Sequence, residues 1–487
     1  MKNKFTLKYY IRQKKFTEFL AFHRLSRESL QDLRLWAHFK LGMYSSVVQK
    51  ECDLKNWRIL FAKTISHAAL GNHKEASKLL KELESCKGYY KYMSILISGL
   101  APYMHKEALS LEKNHKKAPS LVGIALLLKL EENDKALQLI SENLKNRSYV
   151  KKPEYLLFYA NAKDDLLAKS RLTLLNRFLL NYGLQKLKLK DLFGQFNIHN
   201  IESRKHGCCL KKYLVSVIVT TYNSSFTVKT ALNSLLQQSY ENIEIIVIDD
   251  ASNDETVSII QGFINIDDRI KLIKLSKNVG TYVAKNIALE YAKGEFVTCH
   301  DSDDFSHASK IELQVLPLLK DKKLIATISN WVRIDNNGKF YTRHLFPLTR
   351  LNLSSLMFRK KEVCEKIGVY DTVRTGADSE FFARINLVFG RKRVKKINKP
   401  LSFGAHRENS LMTASSTGYN ESGISFDRLE YWEAWNYWHA HELTFKRTPS
   451  ISLRDKMRKF DVPENIVVTH KDIMLALKSN EKKNFEK

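Results

Sequence analysis

The stretch from residue 213 to residue 301 alternates between apolar, β-branched runs and segments with helical spacing. The apolar runs lie at residues 213–220, 243–248 and 270–275, and a fourth leads into Asp301. Between them, residues 227–238, 255–263 and 281–292 carry apolar side chains three and four positions apart. Because strands and helices that alternate in this way are joined by right-handed crossovers, the pattern predicts a parallel sheet covered on both faces.

Polar residues follow each of these predicted strands. In parallel α/β sheets, ligands bind beyond the carboxyl ends of the strands, so these residues are expected to meet at one edge. They are Thr221, Tyr222 and Asn223, then Asp249 and Asp250, then Asn278 to Gly280, and finally Asp301, Ser302 and Asp303. The sequence therefore predicts a ligand site there.

The last of these segments is acidic, with Asp301, Asp303 and Asp304 separated only by Ser302. Like charges this close repel, which favours a positive group beside them. Carboxylates on a short loop suit a hard divalent cation that completes its coordination with water and substrate phosphates. A solvated acidic turn is the alternative, but it does not explain why the other polar segments converge on the same edge.

The chain has 487 residues, which predicts two or three domains. We assign residues 1–195 to an all-α domain, 196–212 to a linker, 213–415 to the α/β domain and 416–487 to a helical, aromatic-rich extension with a basic tail. A faint repeat of about thirty residues in the first domain resembles tetratricopeptide or Sel1-like repeats, with a non-repetitive bundle as the alternative. Because the linker is polar, residues from about Lys211 onward are expected to fold without the helical domain.

The formal charge of +28 indicates an anionic partner. No nucleic-acid motif accompanies it, so the charge indicates either solvated helix faces or contact with anionic lipid or an acidic glycan. The six cysteines lack metal-binding spacing, so zinc is not expected. Since neither a signal peptide nor a long apolar run is present, we expect a cytoplasmic protein, with peripheral attachment to the inner face of the membrane as a further option.

Five segments, in order, resemble the nucleotide-sugar glycosyltransferases of family 2, which have the GT-A fold. They are residues 217–223, 248–254, 278–286, 294–304 and 375–380, within a stretch of about 213–413. The resemblance implies a Rossmann-like, mostly parallel sheet and a nucleotide-sugar donor. It also implies that Tyr222 packs on the base, Asp249 accepts a hydrogen bond from it, Asp301 holds the ribose, and Asp303 binds the Mn²⁺ or Mg²⁺ that bridges the diphosphate.

The same resemblance implies further donor contacts at Thr220, Asn223, Asn278, Gly280 and Ser302. Lys285 stands where the family usually has arginine, which keeps the charge but loses the planar fork. The segment at residues 400–413 resembles the family's terminal segment, which implies His406 as a metal ligand and Arg407 as a phosphate contact.

An inverting transfer needs a base for the acceptor hydroxyl. In the family this base is an aspartate in a Glu-Asp pair at the start of a helix, and here the pair has become Ala377-Asp378. Asp378 is the first candidate and Glu380 the second. A helix cap is the alternative role for Asp378.

Together these features predict a metal-dependent inverting glycosyltransferase. It would use a nucleotide sugar, with UDP favoured, and a glycan or lipid-linked acceptor in surface polysaccharide or lipopolysaccharide assembly. The alternatives are an interaction scaffold with a catalytically silent domain, whose helical part binds other biosynthesis proteins, and a nucleic-acid protein.

Near the C-terminus, Tyr431, Trp435 and Trp438 share one helical face, which indicates either core packing or a docking surface for an acceptor or membrane.

Overall fold

The computed structural model describes residues 4–23, 30–51, 56–86, 88–115, 120–146, 148–205, 207, 212–406, 418–420 and 423–483. Its N-terminal part is helical, as the spacing predicts. The helices are α1 (Lys4–Arg12), α2 (Phe16–His23), α3 (Gln31–Lys40), α4 (Tyr44–Val48), α5 (Trp57–Ala69), α6 (His73–Ser85), α7 (Met93–Leu100), α8 (His105–His115), α9 (Leu121–Lys129), α10 (Asn133–Lys145), α11 (Glu154–Ala162) and α12 (Ala168–Leu180). Ala76, Ala108 and Ala136 are fully buried, which lets neighbouring helices approach closely. The likeness to a particular repeat family stays a prediction.

The predicted linker begins inside a folded element. Helical structure ends at Leu180, and β1 (Leu187–Leu189) then pairs with β2 (Ile201–Ser203) in an antiparallel hairpin. The sequence gives little sign of this hairpin because each strand is only three residues long.

The remaining strands are β3 (Val215–Thr221), β4 (Ile243–Asp249), β5 (Ile270–Lys274), β6 (Phe296–Asp301), β7 (Asp304–Ser306), β8 (Ala326–Asp335), β9 (Phe340–Tyr341), β10 (Arg350–Leu351), β11 (Met357–Arg359), β12 (Val394–His406), β13 (Tyr419–Asn420) and β14 (Gly423–Ile424). The central sheet has the order β5-β4-β3-β6-β11-β8-β12-β7. Strands β3 to β6 are mutually parallel, as predicted. Strand β11 runs antiparallel to both β6 and β8, so the sheet as a whole is mixed.

Helices cover both faces of this sheet: α13 (Val228–Leu236), α14 (Thr256–Ile264), α15 (Thr281–Tyr291), α16 (Lys310–Lys320), α17 (Lys360–Ile367), α18 (Ala377–Phe389), α19 (Phe426–Thr444) and α20 (His470–Lys483). Because side chains alternate along a strand, Val217 and Val219 of β3 pack on the side of α13, whereas Ile218 packs on the side of α15. Both faces are apolar, which explains the near-continuous hydrophobicity of β3 and β4.

The helical domain and the sheet share one apolar core, which argues against independent folding of the sheet domain. Leu157, Leu175 and Phe178 of the helices belong to the same buried cluster as residues of the sheet and its loops, namely Phe305, Val332, Ile334, Phe340, Leu348, Leu401 and Phe403. Polar contacts reinforce it, since the Asn161 Nδ2 donates to the Phe340 carbonyl at 2.7 Å. The interface could not be anticipated because the sheet residues that form it lie far from the polar junction in sequence.

A fragment that begins at Lys212 is therefore expected to be poorly soluble and much less stable than the whole chain. It would expose the sheet side of this core, and each large apolar side chain that is uncovered costs about 1.5–3 kcal/mol. Binding of a hydrophobic dye and the melting temperature of the fragment measure this. A soluble fragment that melts like the whole chain would show that the shared core contributes little.

The C-terminal extension also packs into the sheet domain. Tyr431, Trp435 and Trp438 are buried, with exposures of 1%, 4% and 6%, and belong to the cluster that contains Phe381 of α18. The aromatic stripe is therefore core. Helix α19 also contacts the first helices, because the Trp432 Nε1 donates to the Leu41 carbonyl at 2.6 Å. Nowhere in the described residues is a helix both long and apolar enough to cross a bilayer.

Candidate active site

The carboxyl ends of β3, β4 and β6 lie level with one another. Thr220 is in register with Asp301, and Thr221 is in register with Asp249. The Oγ1 atoms of Thr220 and Thr281 are 2.7 Å apart, which joins the end of β3 to the start of α15. The structure thus brings the polar ends of the three strands to a single edge.

The loop after β3 is held in place by the loop after β4. Asn223 adopts a positive φ of 47°, its amide donates to the Ser252 Oγ, and its Oδ1 accepts from the Asn253 amide. The buried Asp249 accepts from both the amide and the hydroxyl of Ser252. Tyr222, by contrast, is 50% exposed, so its ring presents a free face at the edge.

Asp250 fixes the turn that precedes α15. Its carboxylate accepts hydrogen bonds from the amides of Val279 and Gly280, both at 2.7 Å, while burial raises its pKa to about 6. On the other side, the Arg374 Nη1 donates to the Asn278 Oδ1 at 2.8 Å. Gly280 has a φ of 80°, which glycine adopts without strain. Asn278 and Gly280 therefore lie where the sequence places them, with Arg374 beside them.

Asp301 forms an ion pair with the buried Lys285, with 3.3 Å between the Oδ1 and the Nζ. The Ser354 hydroxyl donates to its Oδ2 at 2.5 Å. Although burial opposes the shift, Lys285 and Ser354 hold the pKa of Asp301 below its usual range. Next to it, Ser302 lies 3.0 Å from Ser224, hydroxyl to hydroxyl. Lys285 is thus a positive group beside the acidic segment, as the repulsion among its carboxylates requires.

The neighbouring carboxyl, Asp304, is 4% exposed, and its Oδ2 has no hydrogen-bond partner. Burial raises its pKa well above the usual value, and the charges of Asp303 and Asp301 add to the rise. Arg333 and Lys310 lie close enough to oppose this effect. A divalent cation bound nearby would offset the negative charge gathered around this unpartnered oxygen.

Oxygen donors of this kind fit Mn²⁺ or Mg²⁺. Within the described ranges, however, no three carboxylate, imidazole or thiol groups lie together closely enough to hold a metal ion. A cation bound at Asp303 would therefore need ligands from a diphosphate or from water, as is usual for Mg²⁺.

Asp378 lies in the first turn of α18, facing the acidic segment. Its carboxylate hydrogen-bonds to the hydroxyl of Tyr282, and it adds to the negative field around Lys285. The helix is entered through Gly376, which has a φ of 84° and occupies the N-cap position, so Asp378 is not the helix cap. Asp378 is half-buried, which leaves part of its carboxylate accessible from the edge.

Glu380 is not available as a base, which corrects the second candidate. Its side chain is fully buried and pairs with Arg384 at 2.7 Å and with the His439 Nε2 at 2.9 Å. Although burial opposes it, Arg384 holds the pKa of Glu380 below its ordinary value. The i,i+4 spacing to Arg384 was a signal in the sequence, but His439 becomes a neighbour of Glu380 only once α18 and α19 pack together.

Replacing Glu380 by alanine is expected to destabilise the protein by about 3–5 kcal/mol, because it leaves Arg384 charged and buried without its partner. The free energy of unfolding in urea measures this. A double variant, Glu380→Leu with Arg384→Met, should recover part of the loss, since it removes both charges. If Glu380→Ala instead kept full stability and lost turnover, Glu380 would have a catalytic role.

His406 is the last residue of β12, two residues after Gly404, which pairs with Asp304 of β7. The His406 ring stacks on Tyr341 with 3.8 Å between centroids, and it lines a cleft of about 900 Å³ between β9 and the helical domain. Nothing in the described part of the chain gathers it with two acidic side chains into a metal site, so its assignment as a ligand gains no support. Arg407 lies outside the described residues.

Sequence reasoning missed several polar residues at the edge: Tyr282, Arg333, Ser354 and Arg374. Tyr282 and Arg374 lie within a few residues of the motifs at Gly280 and Asp378, so proximity in sequence was an available signal. Arg333 lies in β8 and Ser354 in the connection between β10 and β11. Neither segment carries such a motif, and only the fold brings these residues to Asp304 and Asp301.

The model of glycosyl transferase family 2 matches residues 216–382, the segment that contains the whole acidic edge and Asp378. This segment is a family 2 glycosyltransferase domain. Its mixed sheet is the GT-A fold, and an all-helical region precedes it.

The relatives match about a quarter of this chain. A glycosyltransferase of Haemophilus influenzae is 40% identical over 125 residues, which cover 26% of this chain and 50% of the relative. The Escherichia coli protein WfgD, a UDP-Glc:alpha-D-GlcNAc-diphosphoundecaprenol beta-1,3-glucosyltransferase, is 40% identical over 131 residues, which cover 26% of this chain and 51% of WfgD. The chain thus spans about half the length of the relatives that it matches.

Among solved structures, Staphylococcus aureus TarS 1–349 in complex with UDP-GlcNAc aligns with a TM-score of 0.34 and 24% identity. The alignment covers 40% of this chain and 59% of TarS 1–349. A likeness this distant carries no argument about the chemistry of the family 2 domain.

Proposed function

We propose that this protein is a metal-dependent, inverting glycosyltransferase that moves a sugar from a UDP-sugar to a glycan or lipid-linked acceptor. Its setting would be the assembly of a surface polysaccharide or lipopolysaccharide at the inner face of the cytoplasmic membrane. The observation that carries the proposal is the meeting of Asp301, Asp303, Lys285 and Asp378 at one edge of the family 2 domain. WfgD, which uses a UDP-sugar and a lipid-diphosphate acceptor by its name, supports the choice of donor and acceptor class.

The donor would lie along the carboxyl ends of β3, β4 and β6. Tyr222 offers an exposed ring on which a base can stack, and the turn at Asn278 and Gly280 closes the same end of the groove. Asp301 is oriented by Lys285 and Ser354, so its remaining lone pairs are fixed in direction and can accept from ribose hydroxyls.

Asp303 would hold the divalent cation, with Asp301 and Asp304 adding negative charge nearby. When bound, such a cation offsets the charge that develops on the departing diphosphate. Arg333, which lies beside Asp303 and Asp304, supplies a fixed positive charge on the same side.

Asp378 would accept the proton of the acceptor hydroxyl as that oxygen attacks the anomeric carbon. Its hydrogen bond to Tyr282 orients the carboxylate, and its place in the first turn of a packed helix keeps it rigid. Lys285 lies between Asp378 and Asp301, which links the base to the donor side of the groove.

A panel of nucleotide sugars, each assayed for release of the nucleoside diphosphate with and without Mn²⁺, tests the proposal. A metal-dependent release from one or more UDP-sugars is expected. Binding of UDP without any release, even with a range of glycan acceptors, would favour a scaffold with a silent domain. Preference for another nucleotide would overturn the assignment of UDP.

A further inference from the structure

We infer that the groove between the β1–β2 hairpin and α13 is the surface by which this protein docks on an anionic lipid bilayer. The groove has a volume of about 960 Å³, and its lining includes Lys188, Lys190, Arg204, Lys205 and Lys229. All five side chains are exposed. Glu202 is the acidic residue that lines it, so the groove is strongly basic.

Exposed apolar side chains occur in the lining of the groove and in the hairpin loop that follows Lys190. Phe226 is 80% exposed, and the centroid of its ring lies 4.9 Å from that of the His199 ring. The hairpin loop that begins at Lys190 presents Leu192 at 70% and Phe193 at 100% exposure. Lysines beside protruding Leu and Phe side chains are the composition of segments that bind at a bilayer interface.

The loop that carries Phe193 is held in its conformation by hydrogen bonds within the loop. The Phe193 amide donates to the Asp191 Oδ1 at 2.9 Å. Asn200 braces the loop from inside, since its Nδ2 donates to the carbonyls of Asp191 and Gln195 and its Oδ1 accepts from the Asp191 amide. A loop whose polar groups are satisfied internally can present an apolar tip without losing its own structure.

The basic charge and the apolar tip together indicate which ligand this surface binds. A free phosphate would use the lysines but gain nothing from Leu192 and Phe193. A single-stranded nucleic acid would use the lysines and the aromatic rings, but an aliphatic Leu192 offers it no stacking platform. A bilayer with anionic head groups uses both kinds of side chain, because the lysines meet the head groups while the tip enters the interface.

The position of the groove gives this surface a functional meaning. Phe226 comes three residues after Asn223 of the donor groove, and Phe305, which also lines the basic groove, directly follows Asp304. Docking here would bring the acidic edge of the family 2 domain to the membrane surface. The inference deepens the proposed membrane-side location, but its test does not require the transfer reaction.

The test is co-sedimentation of the whole protein with vesicles of phosphatidylcholine, with or without phosphatidylglycerol. Binding is expected only when phosphatidylglycerol is present. The charge-reversal variant K188E/K190E/K229E should lower the partition coefficient about tenfold or more. Leu192→Ser with Phe193→Ser should remove the part of the binding that persists at high salt, because that part is apolar.

The matched control is K320E/K392E/K395E, which changes the net charge equally at a second basic surface. It should bind vesicles like the unaltered protein. An equal loss in this control, or unchanged binding in the groove variants, would overturn the inference. So would binding of a single-stranded oligonucleotide in place of the vesicles. UDP titration of each variant shows separately whether the donor site is intact, so failure of docking and failure of the proposed reaction are distinguishable.

Discussion

Asp378→Asn is expected to lower turnover by about a hundredfold or more, because the amide cannot accept the proton of the acceptor hydroxyl. Binding of UDP with Mn²⁺ should stay close to normal, since Asp378 takes part only in the transfer step. The substitution keeps the size of the side chain and its hydrogen bond with Tyr282, so the melting temperature should change little. Turnover, UDP affinity and melting temperature together measure the effect.

The matched control is Asp134→Asn, because Asp134 also lies in the first turn of a helix, α10 of the N-terminal helical domain. It should leave turnover unchanged. If Asp378→Asn kept near-normal turnover with a saturating acceptor, the assignment of Asp378 as base would be wrong and the inverting mechanism would lose its base. An equal fall in UDP affinity and turnover would instead place Asp378 in donor binding.

Asp303→Ala is expected to abolish transfer and to remove the dependence of UDP binding on Mn²⁺. The reason is that Asp303 is the proposed protein ligand of the cation, with Asp301 already committed to Lys285 and Ser354. Removing it should also lower the raised pKa of Asp304, because one of the charges that raises it is lost. Diphosphate release measures the loss of transfer, and UDP titration with and without Mn²⁺ measures the loss of metal dependence.

Asp268→Ala serves as the control, since it removes one exposed carboxylate from the loop before β5. It should bind UDP and respond to Mn²⁺ like the unaltered protein. Full activity of Asp303→Ala would remove the basis of the metal assignment. Asp301→Ala should weaken UDP binding more than it weakens the response to the metal, and identical behaviour of the two variants would mean that the division between ribose and metal roles is wrong.

Much of the sheet could be predicted from the sequence because its signals are local. The β-branched run before Thr221 and the helical spacing after Val228 gave element boundaries within about two residues. The convergence of Thr221, Asp249 and Asp301 followed from parallel strands alone, since level carboxyl ends place the next residues side by side. No comparable rule applies to β1 and β2, which have three residues each, so the sequence predicts helix and linker where the structure has a hairpin.

The features that the sequence did not predict are contacts between segments that are distant in sequence. The burial of Glu380 depends on His439 of α19, and the shared core depends on Phe340 and Leu348 meeting α11 and α12. Neither of these contacts produces a periodic pattern in the sequence. The aromatic stripe at Tyr431 and Trp435 was visible, but its pattern fits a core and a docking surface equally well, and only packing against α18 decides between them.

The central claim is that the acidic edge binds a nucleoside diphosphate together with a divalent cation. Calorimetric titration of the whole protein with UDP, in the presence and absence of Mn²⁺, tests it most directly. We predict binding at least about tenfold tighter with Mn²⁺, because the cation links the diphosphate to Asp303. Equal affinity under the two conditions would contradict the metal assignment, and no binding of UDP in either would contradict the claim itself.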